Sequence, residues 1–121
     1  LLRCGMSVDD IPLQDDDWST SVMYFRESLQ SLALDAEGQI AAIGGPNVAW
    51  ELRQDAIDFG SALIASSDGR LGEDLEHGIR VLVELLQRLP EDSYQVDAAK
   101  ALSDPQWGNI RGLAQTLLAR M

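Results

Sequence analysis

The 121 residues predict an all-α fold, a single domain built as a compact bundle of four to five amphipathic helices. Three observations predict it. Apolar residues recur at steps of three and four through several long segments, the spacing that gathers them on one helical face. Between those segments Gly, Pro, Ser and Asp cluster in short stretches with turn chemistry. A chain of this length carries one core, since about 100 to 200 residues is the usual size of a domain, so the apolar stripes turn toward each other.

The helical domain is expected over residues 17–121, with residues 1–16 outside it. Met6 reads as the true start, which leaves Leu1 to Gly5 as upstream residues without a part in the fold. From Ser7 to Asp17 the chain is polar and acidic, with Asp9, Asp10, Asp15, Asp16 and Asp17, and Pro12 interrupts any regular element. A flexible acidic arm is expected there.

Trp18, Val22, Phe25, Leu29 and Leu32 then share one stripe, and the spacing predicts a first helix over Asp17 to Asp35, with Gly38 as its stop. Asp17 or Ser19 can cap its first turn. Gln39 to Asn47 holds Gly44, Gly45 and Pro46 and reads as a loop, because a strand at Ile40 to Ile43 would have no partner. Val48, Trp50, Leu52, Ala56, Phe59, Leu63 and Ile64 predict a second long helix up to Ser66, with Gly60 admitting a close neighbour. Ser66 to Gly69 is a turn.

A third helix is expected over Gly72 to Leu89, ended by Pro90, with Glu73, Asp74 and Glu76 crowding its positive end. Glu91 to Ser93 connects to a short helix at Val96 to Leu102. The last helix is the best delimited. Asp104 stands as N-cap and Pro105 at the first helical position, followed by Trp107, Ile110, Leu113, Ala114, Leu117, Leu118 and Met121 on one face. Trp18, Trp50 and Trp107 are all expected to pack in the core, where an exposed tryptophan would instead be a binding anchor.

Charge narrows the function. Twenty acidic residues face nine basic ones, a net charge of −11. That surface repels phosphate backbones and anionic lipid alike, so direct nucleic-acid or membrane binding is not expected. The catalytic inventory is thin, with one histidine, His77, and one cysteine, Cys4. One cysteine makes no internal disulfide, which fits a reducing cytoplasm. His77 reads as a solvated helix residue one turn after Glu73, and zinc would need three or four ligands of a kind the chain lacks. A calcium loop set on Gly38 would place Ala33 and Gly44 at ligand positions, and neither side chain can coordinate. Gly44-Gly45-Pro46 lacks the lysine and hydroxyl of a phosphate loop. No enzyme, cofactor or metal is expected, and the acidic excess points to binding a basic protein.

Gly45-Pro46-Asn47-Val48-Ala49-Trp50-Glu51-Leu52 leading to Asp55, a long helix ending Leu89-Pro90, and Asp104-Pro105-Gln106-Trp107-Gly108-Asn109-Ile110-Arg111 before Ala114, Leu117 and Leu118 together resemble small cytoplasmic immunity proteins of bacterial toxin systems. Those of contact-dependent growth inhibition are nearest, and the likeness spans most of Gly45 to Met121. The resemblance implies neutralisation of a cognate toxin domain by stoichiometric binding, many such toxins being nucleases with basic clefts. It supplies no contact residues. Charge alone nominates Asp15, Asp16, Asp17, Glu73, Asp74 and Glu76 for the partner. The alternative is an acidic helical adaptor or secretion chaperone that shields a basic partner protein.

Overall fold

The stripes become six helices in the computed structural model, which describes residues 15–94 and 97–121, with residues 15 and 16 described by backbone only. They are α1 (Asp15–Ala33), α2 (Ala36–Ile43), α3 (Val48–Ser67), α4 (Glu73–Gln87), α5 (Ala98–Leu102) and α6 (Pro105–Ala119). A single 3₁₀ turn, Glu91–Ser93, follows α4, and no strand occurs among the described residues.

The four long helices form a ring in which α1 packs on α3, α3 on α4, α4 on α6, and α6 back on α1. Neighbours run in opposite directions. Trp18 at the start of α1 lies under Arg70, just past the end of α3, and Tyr24 stacks on Phe59. Arg53 near the start of α3 donates to the Leu86 carbonyl near the end of α4. Asp74 at the start of α4 faces Arg120, just past α6. This is an up-down-up-down bundle.

Two glycines set how closely the helices approach. A Cβ on Gly60 of α3 would stand 3.1 Å from Phe25 Cε1 of α1 and 3.1 Å from Val83 Cγ2 of α4. On Gly78 of α4 it would stand 2.7 Å from Leu117 Cδ2 of α6. Around these contacts Phe25, Leu29, Leu32, Leu63, Ile79, Leu82, Leu86, Trp107, Ile110 and Leu117 are buried almost completely. Each such side chain contributes roughly 1.5–3 kcal/mol over remaining exposed, and together they hold the ring.

Six helices exceed the four to five expected, and the extra one is α2. The segment read as a loop from Gln39 folds because Asp35 is its N-cap, accepting the Gly38 amide at 2.8 Å. Gly38 is therefore inside a first helical turn and does not stop α1. The stop comes from tertiary contacts. Gln39 donates its side-chain amide to the Leu32 carbonyl at 3.0 Å, and Gln115 of α6 donates to Ala33 at 3.2 Å, which satisfies the last carbonyls of α1. Gly44, with φ of 71°, ends α2 by donating to Ile40.

At its other end α1 begins at Asp15, so Asp15 and Asp16 belong to the helix and not to the arm expected over 1–16. The rest of that arm lies outside the described residues, as do Gln95 and Val96 ahead of α5. The last helix starts as expected, with the Asp104 carboxylate accepting the Gln106 amide at 2.9 Å and Pro105 at the first position.

α2, α5 and the 3₁₀ turn cover one end of the ring. Arg111 of α6 donates to both the Gln39 side chain (3.0 Å) and the Leu102 carbonyl (2.8 Å). Trp107 donates its indole N–H to the Ser93 carbonyl at 2.7 Å. Among the described residues no element covers the opposite end, made by the start of α1, the α3–α4 turn and the end of α6.

Candidate partner-binding surface

The open end carries the acidic residues nominated from charge. Arg70 sits 5.1 Å over the Trp18 ring and so brings the start of α1 beside the turn that leads into α4. Asp17, Glu73 and Asp74 are exposed there. The side chains of Asp15 and Asp16 lie outside the described residues. Glu76 differs from the rest. Its Oε2 accepts the buried Ser67 hydroxyl at 2.9 Å, and its Oε1 is 3.7 Å from Arg80. Since Ser67 Oγ also accepts the Leu71 amide at 3.2 Å, Glu76 ties down the α3–α4 turn.

Asp74 is also engaged, 3.8 Å from the Arg120 guanidinium, although both groups are largely in water and such pairs are worth about 0–1 kcal/mol. Arg70, Arg80 and Arg120 thus interleave with the carboxylates at this end. It is acidic, but already partly neutralised.

A second surface, which charge counting along the chain missed, lies between α1 and α3. A groove of about 210 Å³ is lined by Tyr24, Glu27, Ser28 and Ser31 of α1, Ile43 of α2, and Leu52, Asp55 and Phe59 of α3. Its aromatic wall is the Tyr24–Phe59 pair, with ring centroids 5.6 Å apart and planes 28° from parallel. On α1 the lining residues recur at steps of three, one and three, the stripe next to the core stripe of Phe25, Leu29 and Leu32.

Asp55 is the pivotal charge of this groove. Its carboxyl is held above the usual carboxylate value, first by partial burial and then by Glu51 and Asp58, one helical turn away on either side. Asp58 accepts the Gln54 amide at 3.1 Å. Among the described residues the ion pairs are Arg80–Glu76 and Arg120–Asp74, so Glu27, Glu51, Asp55 and Asp58 have no cationic partner. The available signal was Glu51, Asp55 and Asp58 at steps of four and three, flanking the apolar Leu52 and Phe59.

The tryptophans separate three ways. Trp107 is fully buried, Trp18 is half-buried beneath Arg70, and Trp50 is 43% exposed, against the expectation of a core position. Two residues before Leu52 it is turned about 200° from that core position at 3.6 residues per turn. The same geometry puts Trp50 well away from the Asp55–Phe59 side of α3. Met23 (47% exposed) and Tyr24 (45%) add apolar area to the outside of α1, and Leu34 (40%) adds more just past its end.

His77 is exposed on α4, and Cys4 lies outside the described residues. Among the described residues no group of three or more His, Cys, Asp or Glu side chains could hold a metal ion. Asp104, held below the usual carboxylate range by the Gln106 amide and the Ser93 hydroxyl, serves the fold as a helix cap. The bundle and its surface therefore define an acidic all-α protein with a solvent-open, carboxylate-lined groove. Comparison with family models, with curated proteins and with solved structures gives no match.

Proposed function

We propose that the protein is a cytoplasmic immunity protein of the contact-dependent growth inhibition kind, which neutralises a cognate basic toxin domain by one-to-one binding. The observation that carries this reading is the net charge of −11 on a closed helical core, with two carboxylates that have no cationic partner among the described residues, Glu27 and Asp55, in an aromatic-walled groove. Such a surface attracts a cationic protein at long range and offers apolar area at contact. A nuclease toxin fits this chemistry, because its phosphate-binding cleft is basic. Among the described residues no helix is long and apolar enough to cross a membrane.

The test is direct. The proposed partner, a basic toxin domain, is titrated with the chain calorimetrically, and toxin activity is followed in the same mixture. We expect a one-to-one complex with a dissociation constant of about 1 nM or tighter, the range of tight inhibitor complexes, and loss of activity at equimolar protein. A complex that leaves the toxin active would reject inhibition. That outcome would favour an adaptor or chaperone, a reading supported by the inter-helix groove and the exposed Met23, Tyr24 and Leu34 beside it.

A further inference from the structure

We propose that the α1–α3 groove lodges a single arginine side chain of the partner protein, its stem against Ile43 and Phe59 and its guanidinium between Glu27 and Asp55. The proposal rests on the reading of a basic protein partner given above, and it assigns the contact that reading lacks.

Size is the first argument. At about 210 Å³ the groove falls below the roughly 300–1,000 Å³ of small-molecule sites. It suits one long side chain entering from solvent. The lining is the second. Ile43 and Phe59 offer apolar area over a floor closed by buried Leu52, while Glu27 on α1 and Asp55 on α3 supply carboxylates from opposite walls. An occupant must therefore be aliphatic along its length and positive at its tip, which describes lysine and arginine. The Tyr24–Phe59 stack favours arginine, whose planar guanidinium packs on aromatic faces and binds carboxylates in a fork.

Charge balance is the third argument. At the open end Arg120 and Arg80 already stand by Asp74 and Glu76, whereas no cation of the described chain stands by Glu27 or Asp55. Burial and the neighbouring Glu51 and Asp58 disfavour the ionised Asp55, and an arriving cation would relieve that strain. The chain's own leading segment, residues 1–14, is a poor occupant, since Asp9 and Asp10 outweigh Arg3 and are repelled by the same carboxylates.

The experiment is an NMR titration of the full chain with an acetylated, amidated hexa-arginine peptide at low salt. We expect amide shifts concentrated in residues 24–31 and 51–59. The double variant Glu27→Gln/Asp55→Asn should bind about tenfold more weakly while keeping its helical circular dichroism, the scale expected for removing a close charge contact. A charge-matched control at exposed positions outside both acidic surfaces, Glu84→Gln/Asp92→Asn, should stay within about twofold of the parent, and a hexa-lysine peptide should bind several times more weakly.

Equal losses in the two double variants, shifts spread over all acidic faces, or contacts from residues 1–14 already filling the groove of the free chain would each overturn the proposal. None of these would touch the inhibition assay, which uses the unaltered chain and the toxin domain. Conversely, a chain that fails to inhibit the toxin can still show the peptide selectivity.

Discussion

Trp107 combines two roles that pull in one direction, filling the space between the helices and donating its indole N–H to Ser93. Truncation would open a large cavity and leave the Ser93 carbonyl without its donor. We expect Trp107→Ala to lose about 3–5 kcal/mol in denaturant unfolding, and Trp107→Phe to lose less because most of the ring volume remains. Asp55 behaves in the opposite sense. Its carboxyl takes a proton more readily in the folded chain than in the unfolded one, so folding is handicapped as pH rises from about 4 through the raised value. Asp55→Asn should therefore stabilise the chain at pH 7 by under about 1 kcal/mol, since the group is largely solvated and screened, and change nothing near pH 3. Thermal melts at the two pH values measure this directly. Among the described residues Asp55 has no cationic partner, and a group that costs the free fold stability fits the trade of stability for function seen at binding sites.

At the scale of helices, glycine position decides sign. Gly60 is pinned between Phe25 and Val83, so an added methyl must displace side chains on both sides. Gly112, in the middle of α6, has nothing within 4 Å of a Cβ. We expect Gly60→Ala to destabilise by about 1–3 kcal/mol through overpacking, partly offset by helix propensity, and Gly112→Ala to stabilise by up to about 1 kcal/mol. Urea midpoints of the two variants give the comparison. The close approach at Gly60 was legible in the sequence because a glycine interrupts an otherwise apolar stripe. So was the start of α6, where Asp104 and Pro105 specify cap and first turn locally. The helix α2 was not legible. Asp35 could be read as the tail of one helix or the cap of the next, and what decides is Gln39 and Gln115 reaching back to the carbonyls of Leu32 and Ala33. Those contacts join residues 7 and 82 positions apart, beyond any local pattern.

For the whole molecule, carboxylates that look alike in sequence part into working classes. Reversing Glu73 and Asp74 to lysine should leave helical circular dichroism intact and slow association with a basic partner by up to about tenfold at low salt, fading as salt is added. Reversing Glu76 should instead lower the melting temperature, because Ser67 loses its acceptor and Arg80 gains a like charge. Stopped-flow kinetics and melting curves separate the two outcomes. The acidic character of the surface was legible from composition alone. The groove was not, because its carboxylates come from two helices and their isolation depends on where Arg80 and Arg120 fall in space.

The covered end of the ring has a consequence of its own. Gln39, Arg53, Trp107, Arg111 and Gln115 all send side-chain N–H groups to main-chain oxygens. Every amino acid carries that oxygen, so each of these braces survives substitution of the residue that receives it. These donors brace that end whatever side chains receive them, so on the proposed function the outward positions of α1 and α3 are at liberty to follow a changing partner surface without loosening the scaffold beneath.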